Sequence, residues 1–129
     1  MSKQNLSFGR QGEDLAVSLL IDNGYIILER NFRTKFGEID IIAKDKETFV
    51  FVEVKTRCSE NFGLPLEAIS KAKQRKISRM AVAFMQEKGL LGKMARFDVI
   101  SIIYSVDGGY KSDLFKDAFE LEEGVNDAI

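Results

Sequence analysis

Three charged residues stand at positions where charge is costly, and their types suit chemistry on phosphate. The run Phe49-Val50-Phe51-Val52-Glu53-Val54-Lys55 begins apolar on both faces, as expected of a central strand covered on both sides. Glu53 and Lys55 then fall on the face of Phe49 and Phe51, with Cα atoms about 7 Å apart at normal strand rise. Taking a carboxylate and an ammonium out of water is expensive unless each is paired or bound to something. Asp40 lies in the middle of the preceding strand-like segment and approaches the same spot if the two segments pair. Two converging carboxylates make a hard-oxygen site suited to Mg²⁺ or Mn²⁺. A lysine beside such an ion stabilises charge developing on a phosphate, or orients water. The alternative is a cross-strand ion pair on a solvated sheet face. The two-sided hydrophobicity next to Glu53 weighs against that.

The elements that must position these residues are legible as patterns. From Phe8 to Asn23, Leu15, Ala16, Leu19 and Leu20 repeat at helical spacing, and Gly24 is a good helix stop. Tyr25-Ile26-Ile27-Leu28 reads as a short strand and Asn31 to Phe36 as a basic turn. Gly37 to Lys44 alternates, with Ile39, Ile41 and Ala43 on one face and Glu38, Asp40, Ile42 and Lys44 on the other. Asp45-Lys46-Glu47 turns tightly into Thr48–Arg57, which predicts a hairpin. Cys58 to Leu64 reads as a loop. A long helix is expected from Pro65 to about Lys88, stopped by Gly89, with Ile69, Ala72, Ile77, Met80, Ala81 and Phe84 as its buried stripe. Arg96 to Tyr104 is a further strand, and Asp107-Gly108-Gly109 a turn into an edge strand around Tyr110 to Phe115.

The composition narrows the chemistry. The chain contains no histidine, which excludes Ser-His-Asp and Cys-His catalysis and histidine-ligated zinc. Its single cysteine, Cys58, excludes a cysteine-rich zinc site and an internal disulfide, and a reducing, cytoplasmic setting is expected. No apolar run approaches the length of a membrane span, and residues 1–5 have no apolar core of a signal peptide. No membrane partner is expected. The net charge of −1 hides a basic middle and an acidic tail: Pro65 to Lys93 carries about +5 and Asp107 to Ile129 about −5.

Gly37-Glu38-Ile39-Asp40 followed by Phe51-Val52-Glu53-Val54-Lys55-Thr56-Arg57 resembles the PD-(D/E)xK nuclease superfamily. More narrowly, the chain resembles the YraN-like bacterial family, predicted endonucleases similar to archaeal Holliday-junction resolvases. Gly12-Glu13, Phe62-Gly63, Lys73-Gln74 and Arg96-Phe97-Asp98-Val99 match in the same order, so the resemblance covers roughly Phe8 to Ile103. It implies that Asp40 and Glu53 are metal-binding carboxylates and Lys55 the catalytic lysine. It also implies that Glu13 binds or approaches the metal, and that Gln74 is a supporting polar residue. Ile39 replaces the proline of the superfamily's name. Resolvases of this fold act as symmetric pairs, so the resemblance leaves a homodimer open, although no stretch of sequence marks the interface.

Other residues have two readings each. Glu13, beside Asp14, suits an exposed acidic helix start as well as a metal. Arg57 either touches phosphate or snorkels at a strand end. Lys71, Arg75 and Arg79 recur every four residues and form either a phosphate-contacting ridge or a solvated face, with Arg33 and Lys35 as a further basic pair.

The sequence thus predicts one α/β domain over residues 1–129, with its core at about 8–115 and a tail from about Glu120 that frays. The fold is expected to be a mixed β-sheet flanked by helices, restriction-endonuclease-like, in the order α-β-β-β-α-β. The expected function is Mg²⁺- or Mn²⁺-dependent endonucleolytic hydrolysis of DNA, on branched or structured substrates. The metal set is Asp40, Glu53, Glu13 and the Val54 carbonyl, and Lys55 is the catalytic lysine. The rival is a non-catalytic nucleic-acid- or protein-binding module that retains the nuclease fold.

Overall fold

The computed structural model describes residues 3–58 and 69–120. Its elements are α1 (Lys3–Asp22), β1 (Ile26–Thr34), β2 (Gly37–Asp45), β3 (Thr48–Cys58), α2 (Lys71–Glu87), β4 (Ala95–Tyr104) and β5 (Tyr110–Phe119). The strands form one mixed sheet in sequence order, antiparallel except for the parallel pair β3 and β4, which α2 connects. The order is α-β-β-β-α-β-β, with β5 the edge strand that the Asp107-Gly108-Gly109 turn predicts, running on to Phe119.

The helices cover opposite faces. On one, Ile77, Met80, Ala81, Phe84 and Met85 of α2 pack on Ile39, Ile42, Phe49, Phe51 and Phe97. On the other, Ala16 and Leu20 of α1 pack on Ile41, Ala43, Val50, Val52, Ile100 and Ile102. β3 is therefore buried on both faces through Val52, which its unbroken apolar run requires.

Several boundaries differ from the sequence expectation for physical reasons. Asn31 to Thr34 is not turn but strand. β1 absorbs the irregular stretch with a register shift between Ile27 and Glu29, and Asn31 takes φ 54°, a conformation asparagine tolerates. The reversal is left to Lys35-Phe36, with Gly37 at φ 136°. Ile39 does not share a face with Ile41 and Ala43, because the alternation breaks at Asp40. The second helix starts not at Pro65 but at Lys71: Ser70 is extended and its side chain caps the Lys73 amide at 3.1 Å. Ala72 is exposed, and Ser78 and Met85 complete the buried stripe instead. Pro65, Phe62-Gly63 and the tail beyond Glu120 lie outside the described residues.

A polar network holds the end of the sheet away from Asp40. The wholly buried Asp98 carboxylate accepts from the Tyr25 hydroxyl (2.9 Å), Arg96 Nε (3.0 Å) and the Asp117 amide (2.9 Å). Arg96 also reaches Asp45 at 2.7 Å. With Arg96 Nη2 a fourth donor at 3.3 Å, every Asp98 lone pair is used structurally, and the network links the starts of β1 and β4 to the end of β2 and the irregular part of β5.

Candidate metal centre and its basic surroundings

The β2–β3 hairpin turns at Lys46-Glu47, with Asp45 opposite Thr48 and the ladder running on to Ile41 opposite Val52. Continued by one residue, this register places Asp40 against Glu53. There the ladder stops. Asp40 Oδ2 accepts from the Val54 amide at 2.7 Å, a donor that a β2 carbonyl would otherwise serve. The carboxylate thus lies where the strands part. Val54 thus meets Asp40 through its N–H, a contact that does not bear on the expected role of its carbonyl as a metal ligand.

α1 brings Glu13 to this point from one face. The approach depends on Gly12, which packs so tightly on β3 that a Cβ there would overlap Thr56 Oγ1. Glu13, Glu38 and Asp40 each place a carboxylate oxygen within 4.8 Å of the other two. With its nitrogen turned toward the carboxylates, the Asn31 amide donates to Glu13 (3.3 Å) and to Glu38. Arg30 Nη2 is 2.8 Å from Asp14 and 3.9 Å from Glu13, and Arg33 Nε is 3.4 Å from Glu38.

α2 brings a lysine from the opposite face. Lys73 Nζ lies 2.6 Å from Glu53 Oε1, while Glu53 Oε2 is buried without a hydrogen-bond partner. Gln74 Nε2 donates to the Ile69 carbonyl at 3.1 Å and secures the chain entering α2. Among the described residues no ion pair joins Lys55 to Asp40 or Glu53. By strand alternation Lys55 and Arg57 continue the face of Glu53, and Arg57 Nε and Nη2 are buried without a hydrogen-bond partner.

The electrostatics follow from crowding. Burial, then the Glu53 charge and more weakly Glu13, push the Asp40 carboxyl up to about 7, against the opposing Val54 N–H and Lys73. Burial and Glu38 likewise raise Glu13, opposed by Arg30 and Asn31. Carboxylates held together at such a cost, with one buried oxygen unpartnered and no nitrogen or sulfur donor among them, fit a hard divalent cation.

Sequence reasoning missed Glu38, Asn31 and Lys73 as parts of this centre. Glu38 stands two residues before Asp40, and Lys73 beside Gln74, so both lay within quoted motifs without a role. Asn31 gave no signal beyond its tolerance of left-handed backbone.

The expected basic ridge lies on α2. Ala72, Arg75, Lys76 and Arg79 line one shallow groove, and Lys71, Arg75 and Arg79 are exposed. Arg33, near the end of β1, and Lys35, in the β1–β2 turn, are also exposed.

A family model described as "Uncharacterised protein family UPF0102" matches residues 12–102. A UPF0102 protein of Syntrophus aciditrophicus is 48% identical over 121 residues, covering 94% of both chains. One from Geobacter metallireducens is 52% identical over 105 residues, 81% of this chain and 86% of that one. One from Clostridium botulinum is 49% identical over 119 residues, 91% of this chain and 97% of that one.

Proposed function

We propose that this chain, which belongs to the UPF0102 family, is a divalent-metal-dependent endonuclease of restriction-endonuclease-like fold that hydrolyses DNA phosphodiester bonds, with branched or structured DNA as its substrate class. One observation carries the reading. Asp40 stands where β2 and β3 part and feels the Glu53 charge, Glu13 and Glu38 each bring a carboxylate oxygen within 4.8 Å of its own, its carboxyl is pushed up to about 7, and Glu53 keeps a buried, unpartnered oxygen. A fold gains nothing in stability from such a cluster, so a ligand that needs it is the economical explanation.

Asp40, Glu53, Glu13 and Glu38 are the residues that would hold Mg²⁺ or Mn²⁺. Once bound, such an ion neutralises phosphate charge and lowers the pKa of water. The Val54 amide fixes the Asp40 rotamer, and Asn31 holds Glu13 and Glu38 together. Lys55, on the Glu53 face of β3, is assigned to stabilising charge on the attacked phosphate. Arg57 is assigned to an adjoining phosphate, whose oxygens would satisfy its buried nitrogens. The α2 ridge supplies attraction independent of sequence. No helix among the described residues is long and apolar enough to cross a membrane, and the exposed free thiol of Cys58 suits a reducing cytoplasm.

One observation favours the rival reading, a non-catalytic binding module. Lys73 already neutralises Glu53, as a permanent counter-ion would. Thermal melting with Mg²⁺ or Mn²⁺ separates the two. A metal site raises the melting temperature by mass action, and Asp40→Ala and Glu53→Ala each abolish the rise. A wild-type protein indifferent to both ions would favour the module.

A further inference from the structure

Phe36 stands at the tip of the β1–β2 hairpin with 37% of its surface exposed. Its backbone is fixed by an N–H donated to Thr34 Oγ1 at 3.0 Å, and a Cβ added to the next residue, Gly37, would lie 3.8 Å from Met80 Cε on α2. Two cations converge on its ring: Lys35 Nζ is 5.3 Å and the Arg79 guanidinium 5.6 Å from the centroid. Arg79 is also the last residue of the groove formed with Ala72, Arg75 and Lys76, so the ridge leads to this ring. In the other direction Glu38 follows Phe36 by two residues, about 7 Å along an extended chain, and belongs to the carboxylate cluster. An exposed aromatic ring therefore stands between a basic ridge and the proposed metal centre.

A phenyl ring offers nothing to a phosphate. In a continuous duplex the base faces are stacked on one another, and a protein surface meets chiefly phosphate and sugar. A ring flanked by a guanidinium plane gains from nucleic acid only when a base has left the stack, and it then binds any base, because every base has a π face. We infer that Phe36 and Arg79 form a stacking platform for an unpaired base next to the cleavage site, so that the substrate is DNA with a single-stranded segment, as at a flap or junction, rather than an unbroken duplex. This rests on the nuclease reading and narrows its substrate.

Fluorescence anisotropy in EDTA tests binding without turnover, using the full chain with a labelled single strand, a flapped duplex and a blunt duplex. Phe36→Ala should weaken binding of the single strand and the flap roughly tenfold while leaving the blunt duplex within about twofold. Phe36→Leu, which keeps apolar bulk at this position, should match Phe36→Ala, and Phe36→Tyr should match wild type. Equal losses on all three DNAs, no loss on any, or a Leu variant that binds like wild type would overturn the platform while leaving the nuclease reading intact. A wild-type protein that binds none of the three would overturn both.

Discussion

Lys73 reaches Glu53 from the face of the sheet opposite α1, at 2.6 Å, and leaves the second Glu53 oxygen buried and unpartnered. The lysine that touches this β3 glutamate is thus on α2, whereas Lys55, two residues along β3, makes no ion pair with it among the described residues. Removing Lys73 strands a buried carboxylate. Lys73→Met should cost about 1–3 kcal/mol in urea denaturation, below the cost for a fully buried pair because the Lys73 side chain is 41% exposed. Saturating Mn²⁺ should recover part of that loss, and the double variant Glu53→Gln/Lys73→Met should be milder than the single one. A cost-free Lys73→Met would mean that the contact is incidental.

Lys55 has a different signature. If it acts on charge that develops only during reaction, Lys55→Ala lowers kcat by at least a hundredfold while DNA affinity changes little. Comparable losses in both would make it a binding residue.

Stability should depend on pH through Asp40. An unfolded aspartate loses its proton near pH 4, whereas folded Asp40 keeps its proton to about pH 7. Between those values the folded state holds the extra proton, so metal-free stability falls as pH rises through this window and levels off above it. Asp40→Asn, which keeps an acceptor for the Val54 amide, should flatten that slope and raise stability at pH 8. The apparent Mg²⁺ affinity of the wild type should increase toward pH 7, as protons leave the site. Parallel stability curves for the two proteins would show that Asp40 is not the titrating group.

Gly12 sets how close α1 comes. Gly12→Ala should destabilise by about 1–3 kcal/mol through overpacking against Thr56, and should weaken Mn²⁺ binding because Glu13 moves with the helix. Thr56→Ala in the same chain should restore both, since Thr56 supplies the overlapping atoms. Calorimetric titration of the single and double variants checks this. A Gly12→Ala protein with wild-type metal affinity would remove Glu13 from the ligand set.

The legible parts of this molecule are those set by local pattern. The two-residue turn at Lys46-Glu47 fixes the hairpin register, which pairs the strands as far as Ile41 and Val52 and leaves Asp40 and Glu53 as the next residue of each. The two-faced apolar run before Glu53 likewise forces β3 into the middle of the sheet. What stayed hidden depends on long-range geometry. Asn31 reaches Glu13 and Glu38 from a strand with a shifted register, a feature with no residue signature of its own. Pro65 is a stronger helix-start signal than Ser70, so the true start of α2 was obscured. Which of its lysines would meet Glu53 depended on how the helix is rotated against the sheet. Ile39 deceived because alternation is a rule of regular strands, and β2 is irregular where Asp40 departs from the ladder.

The α2 ridge should act additively and without regard to sequence. Replacing Lys71, Arg75 and Arg79 by alanine should flatten the dependence of log affinity on log salt by about one per lost phosphate contact, with fold and metal binding unchanged. An unchanged slope on a four-way junction would shift the DNA path to Arg33, Lys35 and Arg57.

The Asp40–Glu53 centre should cut DNA with a divalent ion. Incubating the purified protein with single-stranded, flapped, four-way and blunt duplex DNA in Mn²⁺ or EDTA, beside Asp40→Asn and Glu53→Gln, checks this. The wild type should show Mn²⁺-dependent strand scission on the branched or single-stranded substrates, lost by at least about a hundredfold in both variants. A wild type that binds Mn²⁺ and these DNAs yet cuts none of them, or an Asp40→Asn protein that cuts as the wild type does, would contradict it.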